Sequence, residues 1–262
     1  MAGRLEGKVA YITGAGSGIA RAAAVIFSRE GAKVALAELD PALGKAAEAD
    51  VRAGGGDAVF IQTDVTDDAS SADSVAAAAA AFGRLDVLFA CAGGSIKEDK
   101  AVTDVELWVW DHTMNLDLKG PILTCRHGIP HLQAAGGGSI ICMSSVAATK
   151  GNSAGHIYSA AKGGVTALVR SLAGRYWKQN IRANAIAPGL ILTGRVQERM
   201  HVDPALPMEE QMQTAAGRWG ERYPFSVGRP EDIANVALFL ASDESRMVNG
   251  ATIPAEGGMT AY

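Results

Sequence analysis

The chain has 262 residues, of which 48% are hydrophobic and 20% charged, a composition typical of a globular protein with a well-buried core. Its formal net charge is −4, which gives no indication of a basic surface for nucleic acid. No apolar run reaches the roughly 18 residues of a membrane span, and the first residues lack the apolar core of a signal peptide. We therefore expect neither a nucleic-acid partner nor a membrane partner.

Short β-rich runs alternate with longer helical runs along the chain. Strands are predicted at 8–12, 34–38, 58–62, 87–91, 139–143, 181–187 and 251–254. Helices are predicted from the first glycine-rich turn to residue 29, at 41–53 and at 72–82. Strands separated by helices pair in parallel, and continuously apolar strands fit a sheet covered on both faces. The prediction is an α/β fold, a doubly wound parallel sheet of about seven strands with helices on both faces, in a single domain over residues 1–262.

Segment 194–228 differs from these regular elements. It mixes methionine and aromatic side chains with three prolines and lies between two predicted elements. A long interrupted stretch in a compact domain is usually functional or mobile. We expect a lid over the substrate, and a plain surface excursion is the alternative.

A glycine-rich turn at 13–20 follows the first predicted strand and opens a helix. Glycines permit a tight turn and let backbone N–H groups approach a pyrophosphate, and the helix N-terminus adds its positive dipole end. A purely structural turn is the alternative, because a glycine string alone is a weak signal. The dinucleotide contacts predicted from this turn are Gly14, Ser17, Gly18 and Ile19.

Glu38 ends the second predicted strand, about twenty residues past the turn. A carboxylate there accepts hydrogen bonds from the adenosine ribose hydroxyls and repels a 2′-phosphate. Neither Ser17 nor Leu39 is basic, and Arg21 lies inside the predicted helix. The predicted cofactor is therefore NAD rather than NADP, although a solvated carboxylate at a strand end is the plain alternative for Glu38.

Two further strand ends carry predicted cofactor contacts. Asp64 and Val65 follow the third strand, where a carboxylate is placed to accept from the adenine amino group; alternatively, Asp64 caps the helix that begins near Asp67. Ala92 and Gly93 follow the fourth strand, where small residues let a cofactor lie against the backbone.

Tyr158 and Lys162 are four residues apart, and Ser145 lies thirteen residues before the tyrosine. Residues four apart share one face of a helix. An ammonium beside a tyrosine stabilises the phenolate, which then serves as a proton acceptor or donor near neutral pH. An isolated tyrosine–lysine pair is more often an exposed helical pair, but together with Ser145 and the glycine turn it indicates hydride transfer.

The cysteines and histidines predict no metal site. The cysteines lie in apolar sequence without a closely spaced pair, which favours buried thiols in a reducing compartment and hence the cytoplasm; they are Cys91, Cys125 and Cys142. His127 and His131 have a metal-like spacing, but Pro130 is expected to interrupt the helix and no third ligand is evident.

With these motifs the chain resembles a short-chain dehydrogenase/reductase, of the single-domain branch, over essentially its whole length. The family's T-G-x-x-x-G-x-G corresponds to residues 13–20, with Ala20 in place of the last glycine. The family's N-N-A-G corresponds to residues 90–93, which lack both asparagines. The resemblance implies a Rossmann-like fold, with Ser145, Tyr158 and Lys162 as the catalytic residues.

The resemblance also implies roles for two other segments. The family's P-G motif and its threonine correspond to Pro188, Gly189 and Thr193, so we expect these residues and Ile191 to contact the nicotinamide half of the cofactor. The family's catalytic asparagine corresponds to Asp117, with Asn115 as the second candidate. If ionised, Asp117 would pair with the lysine and weaken its effect on the tyrosine.

The expected activity is NAD-dependent interconversion of a secondary alcohol and a ketone. The expected substrate contacts are Ser95, Ala147, Leu190 and Trp219. Because most candidate pocket residues are apolar and no arginine cluster is evident, a neutral and fairly hydrophobic substrate is favoured. The alternatives are a 3-oxoacyl-carrier-protein reductase and a non-catalytic nucleotide sensor or scaffold. The resemblance alone implies a homotetramer, assembled through the helices at 117–133 and 155–178.

Overall fold

Seven parallel strands form one sheet at the centre of the computed structural model, which describes residues 3–151, 153, 155–219 and 225–261. The strands are β1 (Val9–Thr13), β2 (Lys33–Glu38), β3 (Ala58–Gln62), β4 (Val87–Ala90), β5 (Gly138–Met143), β6 (Ile181–Pro188) and β7 (Thr252–Ala255). Their order across the sheet is β3-β2-β1-β4-β5-β6-β7. The predicted α/β fold with a doubly wound parallel sheet is confirmed.

Helices connect the strands on both faces. They are α1 (Gly18–Arg29), α2 (Pro41–Ala53), α3 (Asp68–Phe82), α4 (Leu107–Met114), α5 (Gly120–Ala134), α6 (His156–Tyr176), α7 (Gly194–Arg199), α8 (Met208–Trp219) and α9 (Pro230–Ala241). A π-helical turn, Asn115–Lys119, joins α4 to α5. No helix within the described ranges combines the length and the apolarity needed to cross a bilayer.

The core lies in two layers, one on each face of the sheet. Residues of α1 and α9, such as Phe27 and Leu238, pack on one face, and residues of α3, α5 and α6, such as Val165, pack on the other. All residues of β1 and β4 are buried. Burial on both faces explains why these strands are continuously apolar rather than alternating.

The strand order reverses between β1 and β4. From β1 the chain runs outward to β2 and β3, and then crosses back to add β4 on the other side of β1. Parallel strands place all their carboxyl ends at one edge, and a crevice forms there where the order reverses. Ser145 and most of the predicted cofactor residues follow these carboxyl ends, whereas Asp117, Tyr158 and Lys162 lie on the helical elements.

Two helical predictions differ from the structure. Helix α3 begins at Asp68, before the predicted residue 72, because the Asp67 carboxylate accepts from the Ser70 N–H at 2.7 Å and caps the first turn. Helix α5 continues through Pro130 to Ala134, so the expected interruption at this proline was wrong. A proline removes one backbone donor, and the buried Ile129 and Leu132 on either side hold the helix together.

The predicted lid segment contains α7 and α8 with a small apolar cluster of its own. The buried members of the cluster are Leu192, Val202, Ala215, Ala216 and Val227. The segment is tied to the end of β6 by two backbone hydrogen bonds, from Leu192 N–H to Gly228 O at 2.8 Å and from Gly228 N–H to Leu190 O at 2.9 Å. Both ends of the lid segment are thus fixed to the sheet edge that carries the crevice.

Candidate active site

The glycine-rich turn lies in the crevice between β1 and β4. Gly14 adopts a φ of +69°, which favours glycine, and its N–H donates to Ala37 O at 2.8 Å. The Thr13 hydroxyl oxygen accepts from the N–H groups of Cys91 at 3.0 Å and Ala92 at 3.1 Å. These bonds fix the turn to the ends of both neighbouring strands.

The two halves of the predicted cofactor site meet at Gly18. A Cβ added to Gly18 would stand 3.1 Å from Cγ2 of Thr193, so the start of α1 lies against the residue that precedes α7. Ser17 is exposed immediately before α1, and Ile19 packs against the core. Pro188 ends β6, the Gly189 N–H donates to Ala255 O at 3.3 Å, and Ile191 is buried beyond it.

Glu38 is held at the end of β2 by backbone donors. One carboxylate oxygen accepts from the Gly16 N–H at 3.0 Å and the other from the Leu39 N–H at 2.9 Å. Arg21 is turned toward α2, where it donates to Asp50 at 2.8 Å. The carboxylate therefore stands beside the glycine turn, and the guanidinium of Arg21 is directed to Asp50 rather than to the place a 2′-phosphate would take.

Asp64 follows β3 and bonds locally. Its Oδ1 accepts from the Thr66 N–H at 2.8 Å and from the Thr66 hydroxyl at 2.7 Å. Because Asp67 caps α3, the alternative reading of Asp64 as that cap was wrong. Val65 is buried and lies against Gly120 at the start of α5.

Tyr158 and Lys162 lie on one face of α6, as their spacing predicts. The Lys162 Nζ is 5.5 Å from the centroid of the Tyr158 ring. Ser145 follows β5 and begins the short 3-10 turn Val146–Ala148, where its Oγ accepts from the Ala147 N–H at 3.2 Å. This turn packs against α6, and both Ser145 and Tyr158 remain partly exposed.

Lys162 is 2% exposed and has two strong partners. Its Nζ donates to Met143 O at 3.0 Å and lies 2.9 Å from Oδ1 of Asp117. Burial lowers the pKa of Lys162, but the attraction of the Asp117 and Tyr158 anions outweighs it, so the net pKa is raised above 10.5. The ammonium is therefore charged throughout the neutral range.

Asp117 lies in the π-helical turn with no exposed surface. Its Oδ1 also accepts from the Gly94 N–H at 2.8 Å, whereas its Oδ2 is buried without a partner among the described residues. The widened turn directs this side chain inward, a common use of π-helical insertions at functional sites. Asn115, the second candidate, is exposed.

Sequence reasoning missed Asp99, which holds the start of α6. Its carboxylate accepts from the N–H of Ile157 at 3.2 Å and from the N–H of Tyr158 at 2.7 Å, and it is 5% exposed. Capping rules search the residues next to a helix. No local signal identifies a cap that lies almost sixty positions away.

Two arginines of α7 approach the loop that follows β4. Arg195 donates to Gly93 O at 2.9 Å, and Arg199 donates to the Ser95 hydroxyl at 3.2 Å and to Ser95 O at 2.9 Å. Sequence reasoning found no arginine cluster aimed at a carboxylate or phosphate, and it did not identify these two arginines, of which Arg199 contacts the predicted substrate residue Ser95. Lid residues fold back over a loop distant in sequence, which spacing along the chain does not indicate.

The other predicted substrate residues are dispersed over the same edge. Ala147 lies in the turn after Ser145, and Leu190 packs against the small cluster of the lid segment. Trp219 is the last residue of α8, and its side chain lies outside the described residues.

The histidines do not form a metal site in the described part of the chain. No group of three potential ligand side chains converges there. His127 Nε2 instead lies 2.8 Å from Asp68 Oδ1 and links α5 to α3.

Comparison with known proteins agrees with this architecture. A family model described as Enoyl-(Acyl carrier protein) reductase matches residues 14–260. A relative from Bradyrhizobium diazoefficiens, named as a probable short-chain type dehydrogenase/reductase, is 39% identical and covers 99% of this chain and 90% of its own. Cis-4-hydroxycyclohexanecarboxylate dehydrogenase from Sinomonas cyclohexanicum is 39% identical and covers 97% of each chain.

The chain is also similar in fold to a solved structure. Carveol dehydrogenase from Mycobacterium avium, in complex with NAD, superposes with a TM-score of 0.89 at 31% identity, covering 99% of this chain and 100% of that one. The matches in sequence and in fold both span nearly the entire chain. The chain therefore belongs to the short-chain dehydrogenase/reductase family and is an oxidoreductase.

Proposed function

We propose that the protein interconverts a secondary alcohol and a ketone with NAD as the hydride carrier. The observation that carries this proposal is the buried Lys162 Nζ, which pairs with Asp117 and lies 5.5 Å from the ring centroid of the partly exposed Tyr158. A buried, permanently charged ammonium beside a phenol stabilises its anion. A tyrosine oxygen that exchanges a proton with the substrate is the general base or acid that alcohol oxidation and ketone reduction require.

The crevice fits a dinucleotide. Gly14 and Gly18, both with positive φ, allow the tight turn to lie against Ala92 and Thr193, and the helix N-terminus that follows suits a pyrophosphate. Thr193, which lies against Gly18, is proposed with Pro188 and Gly189 to contact the nicotinamide half. The remaining residues proposed for the cofactor are Ser17, Ile19, Asp64, Val65, Ala92, Gly93, Tyr158, Lys162 and Ile191.

The proton path uses side chains of this chain. The bound nicotinamide supplies hydride chemistry, and the protein supplies orientation and proton transfer. The Tyr158 phenolate oxygen takes the proton of the alcohol O–H as the hydride leaves the carbinol carbon, and the Tyr158 hydroxyl returns a proton to the oxygen during ketone reduction. Ser145 donates to the substrate oxygen and stabilises the negative charge that develops there.

Asp117 is a positioning residue in this scheme. It holds the Lys162 Nζ at 2.9 Å and the Gly94 N–H at 2.8 Å, and so fixes the ammonium relative to the loop after β4. Its negative charge also offsets part of the field that the ammonium exerts on Tyr158. The carboxylate therefore gives geometric order and weakens the electrostatic effect.

NAD is proposed over NADP because of Glu38. Its carboxylate is fixed by backbone N–H groups beside the glycine turn, where it would accept from ribose hydroxyls and repel a 2′-phosphate. The structural relative from Mycobacterium avium was determined with NAD, which supports the same choice.

The relatives favour a small-molecule alcohol as the substrate. One is named for a hydroxylated cyclohexane carboxylate, which is a secondary alcohol on a ring. The alternative of a 3-oxoacyl-carrier-protein reductase is not favoured, because Glu38 and the exposed Leu39 suit NADP poorly. Ser95, Ala147, Leu190 and Trp219 are proposed to contact the substrate beneath a lid formed by 194–228.

Two further proposals concern the oligomeric state and the cellular location of the enzyme. A homotetramer is supported by exposed apolar side chains at Leu107, Trp108 and Ile122, on and beside the elements expected to form its interfaces. A cytoplasmic location is supported by the three free cysteines. Light scattering during gel filtration tests the first, and fractionation of the source cells tests the second.

The activity itself is tested with a panel of ring and open-chain secondary alcohols. The protein is mixed with each alcohol and NAD, and the absorbance of the reduced cofactor is followed. We expect reduced cofactor to accumulate with at least one alcohol and more slowly with NADP. No turnover with any member of the panel, in either direction, would contradict the proposal.

A further inference from the structure

Two guanidinium groups lie together at the mouth of the crevice. Arg195 and Arg199 are four residues apart on α7, so they share one face of that helix. Both bind the loop after β4, at Gly93 and Ser95. Both side chains are exposed on the solvent side of this contact.

The charges of these arginines are not neutralised by the contacts. Their acceptors are carbonyl and hydroxyl oxygens, and neither arginine has a carboxylate within 4.0 Å among the described residues. By contrast, Arg21 and Arg84 each pair with an aspartate. A guanidinium has five N–H donors, of which these contacts use one in Arg195 and two in Arg199.

The residue that Arg195 binds lies near the buried Lys162. Arg195 donates to Gly93 O, and a Cβ added to Gly93 would stand 3.4 Å from the Lys162 Nζ, so Gly93 lies near both cations. Both cations affect the Cys91 thiol. Burial raises the pKa of Cys91 to about 12, while the positive charges of Lys162 and Arg195 act to lower it. Arg195 thus belongs to the same electrostatic environment as Lys162.

From this arrangement we infer that the substrate carries a carboxylate, which Arg195 and Arg199 bind while the carbinol carbon faces Tyr158. The inference rests on the proposed function and narrows its substrate class. Carboxylates match the fork of a guanidinium and accept two parallel hydrogen bonds from it. The ammonium of Lys162 is already engaged by Asp117 and Met143, whereas neither arginine has a carboxylate partner among the described residues.

Arg199 is the better placed of the two for discrimination. Its guanidinium donates to both the hydroxyl and the backbone carbonyl oxygen of Ser95, one of the proposed substrate residues. Arg195 lies against Gly94, where a Cβ would collide with its guanidinium, so the glycine leaves room for this side chain. The loop after β4 is thereby shaped to accept both arginines.

The test compares two alcohols that differ only in charge, 4-hydroxycyclohexanecarboxylate and 4-hydroxycyclohexanecarboxamide. For the unaltered enzyme we expect kcat/KM to be about 10- to 100-fold higher for the carboxylate, the range that charge-assisted hydrogen bonds imply. In Arg199→Met and Arg195→Met this ratio should fall toward one, and Arg199→Lys should keep part of it. Arg246→Met is the matched control, an exposed arginine near the amino ends of the strands, and should leave the ratio unchanged.

Three outcomes would overturn the inference. Equal or better turnover of the carboxamide by the unaltered enzyme contradicts it and leaves the proposed function intact. A higher Kd for NAD in the arginine variants with an unchanged substrate ratio would assign these residues to the cofactor instead. Absence of turnover with both alcohols and with the wider panel would contradict the proposed function as well.

Discussion

Lys162 and Asp117 form a buried ion pair, with 2.9 Å between Nζ and Oδ1 and exposures of 2% and 1% for the two side chains. The lysine is the residue that stabilises the phenolate in our account, so its partner affects both stability and chemistry. Each member also binds backbone: Lys162 at Met143 and Asp117 at Gly94. The pair therefore links α6, β5, the π-helical turn and the loop after β4.

The first prediction concerns the stability of this pair. Asp117→Ala leaves the ammonium buried without its anion, and we expect a loss of about 3–5 kcal/mol in the free energy of unfolding. Asp117→Asn should lose less, because its amide oxygen still accepts from Lys162 and Gly94. Denaturant unfolding of the three proteins measures the difference, and equal losses in both variants would contradict this account of the pair.

The second prediction concerns the pH dependence of Asp117→Asn. Removing the negative charge leaves the ammonium field on Tyr158 less offset, so the rising limb of kcat/KM for alcohol oxidation should move to lower pH. Limbs that coincide with those of the unaltered enzyme would show that the Asp117 charge has no part in the proton transfer.

Lys162 itself should not titrate in that experiment. Its pKa is raised above the ordinary 10.5 by Asp117 and Tyr158, which together outweigh the lowering by burial. The stability contributed by its charge is complete below pH 10.5 and is lost only as the pH rises through the higher folded-state value. Unfolding free energies at pH 7 and pH 9 should therefore show no loss from this group.

The third prediction concerns the cap of α6. Asp99→Ala removes the acceptor for the N–H groups of Ile157 and Tyr158, and we expect a loss of about 1–2 kcal/mol of stability. Because the cap holds the backbone of Tyr158, kcat should fall more than the affinity for NAD. Asp104→Ala, an exposed aspartate of the same loop region, is the control. Unchanged kcat in a destabilised Asp99→Ala would limit this residue to a folding role.

The fourth prediction concerns the cofactor. Glu38→Ala combined with Leu39→Arg removes the acceptor for the ribose hydroxyls and adds a cation, so the ratio of kcat/KM values should shift from NAD toward NADP. The single variant Leu39→Arg separates the added cation from the lost carboxylate. Unchanged ratios in the double variant would argue against ribose binding by Glu38.

The sheet and the glycine turn were predictable from local pattern. Buried parallel strands are continuously apolar, so their positions followed from the sequence, and the spacing of Tyr158 and Lys162 placed both on one helical face. The resemblance to the family, which carries an asparagine at this position, also led us to expect that an ionised Asp117 would pair with Lys162.

The contacts missed by sequence reasoning join residues far apart in the chain. Asp99 caps a helix that begins well beyond its own loop, and Arg199 reaches Ser95 only because the lid segment folds back over β4. Helix α5 passes through Pro130 because packing on both sides offsets one missing hydrogen bond. Tertiary contacts determine these features, so the periodicity of residues along the chain does not predict them.

The most direct test of the account is the turnover of Tyr158→Phe. The variant keeps the ring beside Lys162 and removes only the hydroxyl, so folding and NAD binding should persist. We predict a fall in kcat/KM of about 100-fold or more for every alcohol that the unaltered enzyme oxidises, the range typical of a lost general base. Turnover equal to that of the unaltered enzyme, with NAD bound normally, would contradict the assignment of Tyr158 as the proton carrier.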